Sequence, residues 1–172
     1  MGNNRLQVRA LAANALLLAL AMVFLFFASF VPAIELSLQV LASFTIAAAI
    51  VETGILGGVL LYIALFLLAL ILLPNKLVLL PFFFLFGPYP CIRKLVEPIN
   101  SRVLRLILKL ITFNGLLYAS WLLFKEILLG SSILPNIPLW IILLAAQPMF
   151  LLYDYVLKLA IEFYGYRIHK RA

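Results

Sequence analysis

Charge is what this chain has least of. Asp, Glu, Lys and Arg make up 11% of its 172 residues, and there is one Cys, one His and one Asp. Each shortage excludes something. A small water-soluble domain must cover its surface with polar groups, and so little charge cannot do that. The lone Cys91 forbids an internal disulfide and any cysteine-rich metal site. The only histidine, His169, sits in a basic tail, so no nucleophile with a base and no metal constellation lies within the apolar runs. No catalytic residue, metal or cofactor is therefore expected, and the chain does not read as an enzyme. A Gly-x-x-x-x-Gly-Lys-Ser/Thr loop is missing too, which removes ATP hydrolysis by that route. Short alternating segments of the barrel-building kind are also absent.

What fills the chain is hydrocarbon: 67% of residues are hydrophobic, and the mean hydropathy is +1.22. Apolar runs of about 20 residues mark membrane helices. The fold class expected is all-α, a polytopic membrane protein made of one domain. Proline, glycine and charge divide it into six spans at about 10–31, 36–51, 55–73, 77–92, 103–124 and 138–161. Pro81, Pro88 and Pro90 should bend or break the fourth, and Pro148 the sixth. The start, MGNNRLQVR, does not read as a cleavable signal, and Leu6 stands where myristoylation wants Ser or Thr.

The few charges are unevenly placed. Of 13 Lys and Arg, 11 fall in three regions: Arg5 and Arg9; Arg93, Lys94, Arg102, Arg105 and Lys109; and Lys158, Arg167, Lys170 and Arg171. Six spans put all three on one side and leave only Lys76 and Lys125 opposite. The positive-inside rule makes the rich side cytoplasmic. The expected location is the cell membrane, with both termini cytoplasmic. The formal net charge of +7 then answers to anionic lipid and orientation. Nucleic acid is not an expected partner, because no hydrophilic domain is present to hold it. Arg102, Arg105 and Lys109 share one helical face where the fifth span begins. That face suits either snorkelling to anionic headgroups or docking of a cytoplasmic-side partner.

Polar residues at membrane depth need a reason. Asn114, Tyr118, Trp121 and Lys125 recur along one face of the fifth span, in its outer half. Glu35, Gln39 and Ser43 form a polar face in the second. Gln147 lies within a turn of Pro148, and Asn75 and Lys76 lie in the outer turn. Two readings stand. In one, Asn114, Tyr118, Trp121, Gln147, Gln39, Glu35 and Asn75 line an outward-opening pocket for a small solute. In the other, the aromatics form an interfacial belt and the amides join helices. Asp154 is expected in an ion pair, with Lys158 four residues on and Lys109 at similar depth. Ala15-x-x-x-Ala19 and Gly54-x-x-x-Gly58 are small-residue motifs of the kind that let helices approach closely.

Six short spans, both ends inside and Ala15-x-x-x-Ala19 together resemble the substrate-binding S component of energy-coupling factor transporters. The segments PNKLVLLPFFFLFGPYPCIRKLVEPINSRVLRLILKLITFN and LLYDYVLKLAIEFY are similar to an uncharacterised branch of S-component-like bacterial membrane proteins. The resemblance implies that Ala15 and Ala19 dock on a transmembrane coupling subunit, served by cytoplasmic ATPases. It also implies a solute, often a vitamin or metal ion, held near the outer face. No family ligand signature maps onto these residues, and no N-terminal metal-binding histidine supports a nickel or cobalt specialist. The function expected is small-solute binding for such an importer. The alternatives are a structural or assembly protein of envelope machinery that binds no solute, and, third, an autonomous secondary transporter.

Overall fold

The computed structural model describes residues 2–76, 79–128 and 139–169, and every regular element among them is helical. They are α1 (Gly2–Ala28), a 3-10 turn (Pro32–Ile34), α2 (Glu35–Leu72), the single turn α3 (Leu79–Pro81) leading into a π-helical turn (Phe82–Phe86), α4 (Tyr89–Val96), α5 (Arg102–Leu128) and α6 (Leu139–His169). Leu77 at the start of the expected fourth span, residues 129–138 with the start of the expected sixth, Lys170 and Arg171 lie outside the described residues. Four helical stretches among the described residues are long and apolar enough to cross a bilayer: Ala10–Ala28, Pro32–Leu72, Leu79–Val96 and Arg102–Leu122. The outer surface is apolar as well. Leu16 is 73% exposed, Leu56 70% and Ile71 81%, which suits lipid and not water.

Proline and glycine set the breaks. Val31 precedes Pro32 and is non-helical (φ −124°, ψ 86°), and Leu73 precedes Pro74 and is extended (φ −78°, ψ 128°). A proline ring disfavours the helical region for the residue before it, so α2 stops at Leu73, and the chain cannot resume a helix directly at Val31 after α1 ends at Ala28. The stretch Pro32–Leu72 has 41 residues. Straight, it would run ~60 Å, about twice the hydrocarbon thickness. Gly54 divides it, with φ 81° and ψ 180°, a conformation essentially confined to glycine. A Cβ added at Gly58 would overlap the Ile50 side chain. Residues eight apart in a straight helix are ~12 Å apart, so the chain must double back. Thus α2 is a hairpin with limbs 35–53 and 55–72, and Gly54 falls in the gap between the expected second and third spans. The two glycines of Gly54-x-x-x-Gly58 have different tasks. Gly54 supplies the dihedral, and Gly58 supplies the space for Ile50.

The fourth expected span is broken more thoroughly than bent. Gly87 N–H donates to the Phe82 carbonyl, five residues back (2.7 Å). An α-helix would have used the Phe83 carbonyl, and the next candidate donor, Pro88, has no N–H. The Phe83 carbonyl is satisfied instead by Tyr62 Oη at 2.9 Å. Tyr62 reaches it because Gly87 has no side chain where the ring passes. Pro90 then lies in the first turn of α4, where a missing N–H costs nothing.

Two cores flank the first limb of α2. On one side Ala21, Met22 and Leu25 of α1 pack with Ala42, Ile46, Ala49, Ile50, Leu61 and Leu65. On the other, Ala47 meets Tyr89, Phe113, Phe150, Tyr153 and Leu157. The small residues Ala47, Ala48 and Ala49 are all buried, so neighbours approach this limb closely all round. Hydrogen bonds then gather several segments at one end. Asn14 Nδ2 donates to Thr53 Oγ1 (3.1 Å), tying early α1 to the Gly54 bend. Tyr164 Oη donates to Glu52 (2.7 Å), tying late α6 to the same bend. Burial and that hydrogen bond push the Tyr164 phenol up to about 12.

Candidate functional site

Among the concave features of the described residues, two stand out. The first is a cavity of about 570 Å³ between the first limb of α2, the π-turn, α5 and α6. Its wall carries Leu36, Val40, Leu41 and Phe44 from α2, Leu85 and Phe86 from the π-turn, Phe113 and Leu117 from α5, and Ala146, Met149 and Phe150 from α6. Ser37 and Tyr153 bring the only hydroxyls among the residues lining it. Tyr153 Oη is turned to Ser43 Oγ (2.9 Å), which leaves the wall almost wholly apolar. The π-turn matters here. The extra residue per turn shifts Phe86 edge-on to the Tyr153 ring (centroids 5.3 Å apart), and Phe113 stacks on Phe150 at 4.1 Å.

The second feature is polar. Asp154 of α6 accepts Tyr89 Oη at 2.6 Å and Lys109 Nζ at 2.8 and 3.0 Å. Arg93 Nη1 lies 3.1 Å from Asp154 Oδ1 and donates to its backbone carbonyl at 2.8 Å. α4, α5 and α6 are thereby joined through one carboxylate. Arg93 is 3% exposed and Lys109 8%. Beside this knot opens a pocket of about 220 Å³ lined by Arg93, Glu97, Arg102, Arg105, Leu106, Lys109 and Lys158.

The residues singled out from sequence are distributed as follows. Asn114 and Gln147 meet: Gln147 Nε2 donates to Asn114 Oδ1 at 2.7 Å, while Asn114 Nδ2 donates to the Leu110 carbonyl. This pair joins α5 to α6. Tyr118 is 51% exposed, and Trp121 is half-buried. Gln39 is fully buried and donates to Glu35 one turn back (3.0 Å). Asn75 is exposed in the turn after α2. None of these seven lines the apolar cavity. Ala15 and Ala19 are both exposed on α1. Arg102 is exposed and Arg105 half-buried, whereas Lys109 turns inward to Asp154.

One expectation is corrected in part. Lys158 is not the partner of Asp154; it lies 3.6 Å from Glu162, and both are exposed. Asp154 is drawn to two buried cations from neighbouring helices, where water competes less than at the surface. Tyr89 and Arg93 were missed. The available signal was depth: the only Asp of the sixth span lies level with the basic cluster before the fifth, and Arg93 belongs to that cluster.

No protein-family model, curated protein or solved structure matches the chain.

Proposed function

We propose that the chain is a cell-membrane protein of six passes, with both termini cytoplasmic, that binds a small apolar solute as the binding subunit of an energy-coupling-factor-type importer. The apolar cavity of about 570 Å³ carries this reading. Its volume lies in the range of sites for small organic ligands, ~300–1,000 Å³, which are mostly apolar with few polar groups. The Asn114–Gln147 bond braces the two helices that form one wall, since Phe113, Leu117 and Ala146 are their cavity-facing neighbours. Six passes are supported by the hairpin at Gly54 and by the contacts gathering early α1, the bend and late α6 at one end. The exposed Ala15 and Ala19 offer a smooth face to a coupling subunit, with ATPases beyond it.

The test is extraction of the purified protein with organic solvent, followed by mass spectrometry of what it carried. Wild type should retain a discrete apolar compound. Ala146→Phe, which fills the cavity, should lose it while unfolding at a similar temperature. Equal retention by both proteins, or no compound in wild type, would defeat the solute reading and favour an envelope scaffold.

A further inference from the structure

The basic pocket has no task in solute binding. Five cations line it: Arg93, Arg102, Arg105, Lys109 and Lys158. The carboxylates beside them are Glu97 in the pocket, Asp154 on Arg93 and Lys109, and Glu162 on Lys158. Formal charge at the site is therefore +2. Two groups remain unspent. Nε of Arg93 and Nε of Arg105 are buried and have no hydrogen-bond partner among the described residues. Arg93 is 3% exposed and lines the pocket, so an acceptor entering it is placed beside this guanidinium. A buried guanidinium donor without an acceptor is costly, and guanidinium matches the oxygen spacing of phosphate.

We propose that this pocket binds the phosphate of an anionic phospholipid at the cytoplasmic face. The inference rests on the membrane reading and is independent of what fills the apolar cavity. The net charge suits a phosphate group. Arg102 opens α5, whose first-turn N–H groups add positive potential at the same end. A lipid is favoured over free phosphate because exposed apolar side chains adjoin the pocket. Leu106 is part of its wall, and Val103, Leu106 and Ile107 are all exposed on α5, where an acyl chain would lie.

The experiment compares thermal unfolding and native mass spectrometry of the protein in phosphatidylcholine nanodiscs with and without phosphatidylglycerol. Wild type should be stabilised by phosphatidylglycerol and retain it. The Arg102→Gln/Arg105→Gln variant should retain it about tenfold less, the loss expected for removing charge-assisted hydrogen bonds. These side chains are exposed and half-buried, so folding should persist; if the double variant is not recovered folded, R102Q alone makes the same comparison. Lys94→Gln, an exposed cation outside the pocket, should bind as wild type does. Equal retention by the pocket variant, or an equal loss in K94Q, overturns the site in favour of diffuse charge attraction. Stabilisation by inorganic phosphate in phosphatidylcholine discs equal to that by phosphatidylglycerol overturns the lipid assignment.

Discussion

Lys109 and Asp154 meet between α5 and α6 with Nζ 2.8 Å from Oδ2, and this contact has a third party. Arg93 also depends on Asp154, through its carboxylate and its backbone carbonyl. Two poorly hydrated cations thus share one anion. Breaking a buried pair by removing one partner costs about 3–5 kcal/mol, because the other charge stays buried and uncompensated. Asp154→Ala should therefore lower the unfolding temperature in detergent far more than an exposed change such as Glu162→Ala. Adding Lys109→Met to D154A should recover part of the loss, and Arg93 should keep the recovery incomplete. Full additivity of the two changes would show that they do not share an interaction.

The Tyr62–Phe83 hydrogen bond is a second linked pair. Tyr62→Phe leaves the Phe83 carbonyl without the hydroxyl that replaces the N–H Pro88 lacks. A buried acceptor left unsatisfied costs about 1–3 kcal/mol. Pro88→Ala restores an N–H at the position that bonds Phe83 in a π-turn. Y62F should thus destabilise less in the P88A background than in wild type, read as a shift in unfolding temperature. An identical penalty in both backgrounds would mean that the carbonyl finds its partner elsewhere.

Two glycines should respond oppositely to alanine. A Cβ at Gly54 would meet nothing within 4 Å, so any penalty is conformational and not steric. At φ 81° and ψ 180°, it should amount to about 1–3 kcal/mol. Gly115 lies inside α5 and also has open space around it. There alanine removes unfolded-chain freedom without strain, for a gain of about 0.4–1 kcal/mol. Thermal scans of G54A and G115A should move in opposite directions.

These cases show what the sequence could convey. The breaks at Pro32, at Pro74 and between residues 51 and 55 were readable because proline and glycine act on the backbone locally, although Gly54 itself was grouped with Gly58 as a packing motif and not read as the bend. Asn114 and Gln147 were readable as amides needing partners at membrane depth, although spacing grouped Asn114 with Tyr118, which faces out. The cavity was not readable. In water, an apolar residue marks the inside of a helix; in lipid, both faces are apolar, so Leu117 and Phe44 carry no mark distinguishing them from lipid-facing neighbours. The π-turn was hidden as well, since it depends on Tyr62 arriving from another helix. Asp154 advertised a partner, but local spacing pointed to Lys158 and not to Arg93.

Orientation can be tested without purification. Reporters fused after Arg171 and within 96–101 should be cytoplasmic, and one near Ser131 external, because 11 of 13 cationic residues fall on one side of a six-pass arrangement. An external reporter after Arg171 would overturn that arrangement.

The outward face of α1 gives the last prediction. Its inward face is committed to the core: Ala21 and Leu25 are fully buried, and Met22 nearly so. Ala15 and Ala19 are exposed, one turn apart, beside the exposed Leu16 and Leu20. Small residues in such a row let another helix approach to backbone distance. Replacing both with Leu adds bulk only outside the fold, so Ala15→Leu/Ala19→Leu should unfold at the wild-type temperature. If the face receives a coupling subunit, copurification of that subunit should fall sharply. As a control for bulk alone, Leu72→Phe alters an exposed residue on α2 and should leave copurification intact. Unaltered copurification of the A15L/A19L protein would remove the docking role from this face. Loss of folding would instead assign the two alanines to the protein's own packing, against their exposure.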